Sequence, residues 1–103
     1  MRLQYIASAC VLVEACGVRV LCDPWIVDGC YGGAWYHNPP LKVTPEDFHD
    51  VEYVYISHCH PDHLDVKTLE RLSRATVILM ARYDESLRKP MALRLRGMGF
   101  TVI

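Results

Sequence analysis

The sequence predicts an α/β layered domain with helices packed on a sheet. Three observations carry that reading. Short apolar runs of strand character fill most of residues 3–22 and recur at 51–56, 76–81 and 100–103. Helical patterns occupy the intervals that follow residue 65, while the stretch 25–50 keeps no period. Strands followed by helix–strand–helix–strand is the order of elements in such a domain.

Residues 3–15 alternate loosely and are rich in Tyr, Ile, Val and Leu; Arg19 to Cys22 is a second apolar run. Together they predict a β-hairpin turning near Ala15-Cys16-Gly17 and ending at Asp23-Pro24-Trp25. The long loop 25–50 is punctuated by Gly29, Gly32, Gly33, Pro39, Pro40 and Pro45, and it carries Trp25, Tyr31, Trp35, Tyr36 and His37. A loop of this length in a compact domain is usually a wall or lid over a site. Its aromatic faces suit stacking on a sugar or base, or equally the plugging of a thinly covered core. His37 reads as an ordinary loop histidine or as a substrate contact. Thr44-Pro45-Glu46-Asp47 has an N-cap residue followed by proline at the first helical position, which predicts a short helical turn to about His49.

A buried strand over 51–56 follows. Asp65 then caps a helix through Ser73, with Val66, Leu69 and Leu72 as its buried stripe and Lys67, Glu70, Arg71 and Arg74 toward solvent. Thr76 to Ala81 is a strand. Asp84 to about Arg96 is a second helix, interrupted by Pro90 and closed by Gly97 and Gly99. Phe100 to Ile103 begins a last strand.

The chemistry concentrates in Ser57-His58-Cys59-His60-Pro61-Asp62-His63-Leu64, directly after the 51–56 run. His58 and His60 are two residues apart, so on an extended backbone they face one side and can share an ion. Pro61 turns the chain, and Asp62 and His63 then face a displaced point. Two imidazoles on one ion, with a carboxylate and an imidazole on a neighbour, is a way to build a two-metal hydrolytic site. These ligands suit zinc, iron or manganese. Cys59, between the two histidines, alternates away from them toward the core.

The His-x-His-x-Asp-His string resembles the metal motif of the metallo-β-lactamase superfamily. The likeness extends to Cys22-Asp23-Pro24-Trp25, to Gly33-Ala34-Trp35-Tyr36-His37-Asn38-Pro39-Pro40 and to Tyr55-Ile56-Ser57-His58. That order is similar to the branch containing the metallo-β-lactamase domain of CMP-N-acetylneuraminate hydroxylase. It is more distantly similar to the ascorbate-6-phosphate lactonase group. The resemblance implies the N-terminal half of an αββα sandwich, with residues 1–103 as a partial domain whose C-terminal half is absent. It implies His58, His60, Asp62 and His63 as metal ligands and Asp62 as the catalytic carboxylate. Trp25, Trp35, Tyr36 and His37 would bind substrate, and Asp23 would brace the metal loop. A complete domain would hold two divalent ions, with zinc the first expectation. The superfamily completes its site with a later histidine, a bridging aspartate and a final histidine, whereas no histidine follows His63 here.

Composition narrows the classes. A net charge of -1 without a basic or single-sign block argues against nucleic acid as a partner. Glu14, Arg19 and Asp23 break the apolar start, so no membrane span or signal peptide is expected, and the expected location is the cytoplasm. Five cysteines, none in Cys-x-x-Cys, exclude a zinc ribbon and point to free thiols.

Three functions follow. The first is a metal-dependent hydrolase acting on an ester, lactone or phosphoester of a small molecule, for which the resemblance suggests a sugar or nucleotide-sugar, and incomplete as this chain alone. The second is a component of a CMP-sialic-acid hydroxylase-like oxygenase system. No Cys-x-His pair encodes a Rieske cluster here, so that chemistry would need a separate protein. The third is a non-catalytic half-domain acting in assembly, with a homodimer or a completing second chain covering its sheet.

Overall fold

The computed structural model describes residues 1–82 and 84–103. Six strands form one sheet in sequential order: β1 (Arg2–Ala7), β2 (Cys10–Ala15), β3 (Val18–Cys22), β4 (Tyr53–Ile56), β5 (Val77–Met80) and β6 (Thr101–Val102). The first three are antiparallel, and β3 to β6 run parallel. The α/β class is as expected.

The opening of the chain makes three strands where the sequence suggested two. The additional turn lies at Ser8-Ala9, between β1 and β2, where Ser8 takes a φ of 54° and the register shifts between Tyr5 and Ala7. No glycine, proline or asparagine marks that turn, so residues 3–15 read as one alternating run. The predicted hairpin at Ala15-Cys16-Gly17 is present, with Cys16 and Gly17 both left-handed.

The connections between parallel strands carry the helices: α1 (Cys30–Gly33) and a 3-10 turn (Pro45–Phe48) before β4, α2 (Val66–Leu69) before β5, and α3 (Glu85–Gly97) before β6. The Thr44 cap forms as the sequence predicts, with a reciprocal capping box to Asp47. Asp65 caps α2 and Asp84 caps α3. α2 is shorter than the predicted 65–73. Its end tightens into i→i−3 bonds, and the Arg74 guanidinium collects the carbonyls of Glu70, Leu72 and Met98. Arg74 therefore caps chain ends from the surface and lies over the Phe100 ring at 4.3 Å. Pro90 does not interrupt α3, which continues through it to Gly97.

A sequential parallel order with right-handed crossovers places every connection on the same face. Leu12, Leu21, Val54, Ile56, Ile78, Met80 and Val102 fill that face, beneath Phe48, Leu64, Leu69, Leu72, Ala92, Leu95 and Phe100. The opposite face has no layer over it among the described residues. Two registered rows of apolar side chains cross it: Leu3, Val13, Val20, Tyr53 and Val77, then Tyr5, Val11, Cys22, Tyr55 and Leu79. Leu3 and Tyr5 are 63% and 69% exposed, so their apolar surface is not buried by the fold described. Among the described residues no helix is long and apolar enough to cross a membrane.

Candidate metal centre

The histidine-rich segment leaves the C-terminal end of β4, where ligands of open α/β sheets gather. Its turn is closed by backbone bonds from His63 and Leu64 to the His60 carbonyl, at 2.9 and 2.8 Å, and Leu64 anchors it in the core. His58 Nε2 and His60 Nδ1 stand 3.0 Å apart. Two nitrogens each about 2.0–2.1 Å from one tetrahedral zinc lie about 3.3 Å apart, so this spacing is close to that of a shared ion. Asp62 Oδ2 lies 3.5 Å from His63 Nε2. The two pairs abut, because the His58 and His63 ring centroids are 3.9 Å apart. No group of three or more His, Cys, Asp or Glu side chains is gathered as one ion cage among the described residues.

Asp23 organises this cluster. It ends β3 in a left-handed conformation (φ 42°) and is 8% exposed. Its Oδ1 accepts the Ser57 backbone N–H and its Oδ2 the Ser57 hydroxyl, both at 2.8 Å. Since Ser57 donates to Asp23, its oxygen is left to accept from His58 Nδ1 at 2.8 Å. The proton of His58 therefore sits on Nδ1, and Nε2 presents a lone pair beside His60. Burial, and then the neighbouring His63 and His60 rings, push the His58 pKa below the ordinary imidazole value and keep it in the neutral, donating form.

His63 tests whether the segment fits an ion. Its Nδ1 is enclosed and 3.2 Å from Asp23 Oδ2, yet the contact is not aligned as a hydrogen bond. On the other edge of the ring, Nε2 faces the Asp62 carboxylate across 3.5 Å. An imidazole nitrogen and a carboxylate in that relation can hold a proton or a cation between them. Imidazole and carboxylate donors of this kind fit a divalent metal.

The aromatic loop meets the centre through Tyr31, a residue that spacing did not single out. Tyr31 holds a left-handed φ of 53° in α1, and its hydroxyl donates to Asp62 Oδ1 at 3.0 Å. Its ring tilts against Trp35 at 4.4 Å. Trp25 is buried, its indole N–H donates to Val27, and its ring stacks on His37 at 4.0 Å. Trp35 and Tyr36 are 48% and 65% exposed and supply the accessible aromatic surface of the predicted set. Thr68 was also missed. Its buried hydroxyl accepts from Ile26 and Val27 N–H and donates to Asp65, tying the start of the loop to α2. Cys59 is half-buried and packed against the core, and burial pushes its thiol pKa up.

The chain matches, over residues 2–102, the family described as the Beta-lactamase superfamily domain. It belongs to the metallo-β-lactamase superfamily. A cytidine monophosphate-N-acetylneuraminic acid hydroxylase from Danio rerio is 38% identical over 74 residues, which is 70% of this chain and 12% of that protein. The isothiocyanate hydrolase from Delia radicum gut bacteria superposes with a TM-score of 0.72 at 26% identity, covering all of this chain and 41% of the other. CmlA, a diiron β-hydroxylase from Streptomyces venezuelae, gives 0.63 at 26% identity, over 98% of this chain and 20% of the other. The chain thus spans well under half the length of these relatives.

Proposed function

We propose that this chain is the metal-loop half of a metal-dependent hydrolase acting on an ester, lactone or phosphoester. The observation that carries the reading is the pairing of His58 Nε2 with His60 Nδ1 at 3.0 Å, beside Asp62 and His63. His58, His60, Asp62 and His63 would hold divalent metal, zinc by preference of its geometry, with iron or manganese suited by the same ligands. When bound, such an ion acidifies water toward neutral pH and polarises the group under attack. Asp62 would orient the attacking water and accept its proton. Asp23, acting through Ser57, holds the tautomer of His58 and braces the loop. Trp35 and Tyr36 offer the substrate an exposed aromatic wall, with Trp25 and His37 stacked as its backing. The likeness to an isothiocyanate hydrolase supports hydrolysis.

A second reading is favoured by the likeness to a hydroxylase and to a diiron β-hydroxylase: the same donors would serve oxygen chemistry with a separate electron-transfer protein. In either case the bare apolar rows of the sheet support a covering layer, from a second copy or a completing chain, and the reading places the protein in the cytoplasm. Bound metal per chain, measured alongside mass in solution, tests the proposal. Sub-stoichiometric metal in the lone chain, rising to two ions once the sheet is covered, is expected. Two tightly held ions on an isolated monomer would overturn the half-site argument, and no metal under any assembly would overturn the hydrolase.

A further inference from the structure

A cavity of about 600 Å³ opens beside the donor pairs, between the end of β4 and α3, lined by His58, His60, Cys59, Ala81, Asp84 and Arg88. Arg88 is the unusual member. It is 9% exposed, yet its guanidinium carries five N–H donors and a permanent charge. Its Nε donates to the Met80 carbonyl over a long 3.4 Å, and its Nη1 is 3.9 Å from the partly exposed Glu85 carboxylate. No other hydrogen bond from this guanidinium to the described residues forms. Arg88 is one of the residues that line the cavity. Asp84, the acid on the cavity wall, is engaged as the α3 cap, with Oδ1 accepting from Ser86 N–H and Oγ–H at 3.0 and 2.6 Å. Among the described residues this buried cation has two long contacts and is under-compensated by them, and a planar fork of donors matches an oxyanion.

We propose that Arg88 forms an oxyanion subsite, in which the cavity takes a carboxylate or phosphate group of the substrate. The rest of that substrate then lies toward His58 and His60, which line the same cavity. The subsite gives the proposed hydrolase an anionic small-molecule substrate, and that assignment rests on the hydrolase reading. The binding itself does not. Leu87 and Ala81 on the same wall lower the local polarity and strengthen a charge-assisted contact.

The test uses the whole chain, free of metal, at about pH 8, above the ordinary imidazole range. Inorganic phosphate and acetate are titrated separately while the Arg88 Nε–H resonance is followed by NMR. A saturable shift with phosphate alone assigns a phosphate group, with acetate alone a carboxylate, and with both a general oxyanion site. No saturable shift with either overturns the inference. R88K should bind about tenfold more weakly, because a point charge replaces the bidentate fork, and R88Q should not bind. If R88Q fails to fold, the native resonance and R88K still decide. Hydrolysis is read separately, on the metal-loaded assembly with its sheet covered, using a neutral ester and its carboxylated or phosphorylated analogue. Turnover whose preference is unchanged in R88K sinks the subsite and leaves the hydrolase standing. Anion binding at Arg88 without any turnover does the reverse.

Discussion

Asp23→Asn is the substitution whose outcome follows most directly from the geometry. The asparagine carbonyl must face the Ser57 backbone N–H, since the opposite flip would set two donors 2.8 Å apart. Its amide NH2 then meets the Ser57 hydroxyl where a carboxylate oxygen stood. Ser57 now accepts from residue 23 and turns its own proton toward His58 Nδ1. The His58 proton moves to Nε2, and the lone pair beside His60 is lost. The fold should survive, at a cost of about 1 kcal/mol for one weakened hydrogen bond, or about 4–8 °C in Tm for a domain of this size. Metal affinity should fall about 10–100-fold, the usual effect of removing the partner that orients a ligand. Competition with a chromophoric chelator reads the affinity, and long-range proton–nitrogen NMR reads the tautomer. Asp23→Ala serves as the contrast: it leaves two Ser57 donors without an acceptor, costing about 2–4 kcal/mol, and lowers stability and affinity together. If D23N keeps native affinity, or loses it with the His58 proton still on Nδ1, the relay argument is refuted.

Other outcomes follow from the same contacts. Thr68→Val removes the acceptor for two backbone N–H groups and a 2.6 Å bond to Asp65 at a fully buried site, so thermal denaturation should show a loss of about 2–4 kcal/mol, with Thr68→Ser largely restoring it. Burial, opposed by the Thr68 bonds, raises the Asp65 pKa above the ordinary aspartate value of 3.8. Between those two values the folded chain holds a proton that the unfolded chain has released, so this group's contribution to stability falls as pH rises from 3.8 through the folded value. Denaturant unfolding of Asp65→Asn should show that falling slope removed, whereas an unchanged slope would assign it to another group. The Cys10 thiol is pushed up to about 12, chiefly by burial and then by Cys22 and Asp23. Mild alkylation of the folded chain should therefore label exposed Cys16 and spare Cys10 until the chain unfolds.

The parts of the fold legible in the sequence are those decided by neighbours along the chain. Thr44-Pro45, Asp65 and Asp84 cap the elements they were expected to cap, because a side-chain oxygen two or three residues before a free N–H needs no distant partner. His58 and His60 face one another because extended backbone alternates. The misreadings come from tertiary contacts that override local pattern. The Ser8 turn is announced by a lone serine, a weak turn signal beside glycine or proline, and α2 ends early where Arg74 gathers carbonyls from two separate segments. Tyr31 reaches Asp62 across 31 residues of sequence, and Thr68 reaches Ile26 across 42, so neither had a periodic signal. Arg88 read as one more helical cation, since only its burial in three dimensions distinguishes it.

One topological choice underlies both the candidate centre and the open sheet face. Sequential parallel strands send the chain back over the same face after each strand, so the turns after β3, β4 and β5 emerge at one edge. That edge receives Asp23, the histidine-rich segment, Ala81, Asp84 and Arg88. Among the described residues the same crossovers leave the second face without a layer, and the side chains agree. The charged strand residues Glu14 and Arg19 lie in register on the helix-bearing parity, with Arg2 paired to Glu14. The two rows across the other face contain no charge at all. A solvent-facing sheet would alternate apolar with polar residues, whereas strands apolar on both parities are those of a sheet buried on both sides. The edge that carries the candidate centre and the apolar face are therefore one design, and metal binding at the edge should strengthen when the face is covered. Measuring metal affinity as a function of chain concentration checks that coupling: an affinity that rises with self-association supports it, and one indifferent to association refutes it.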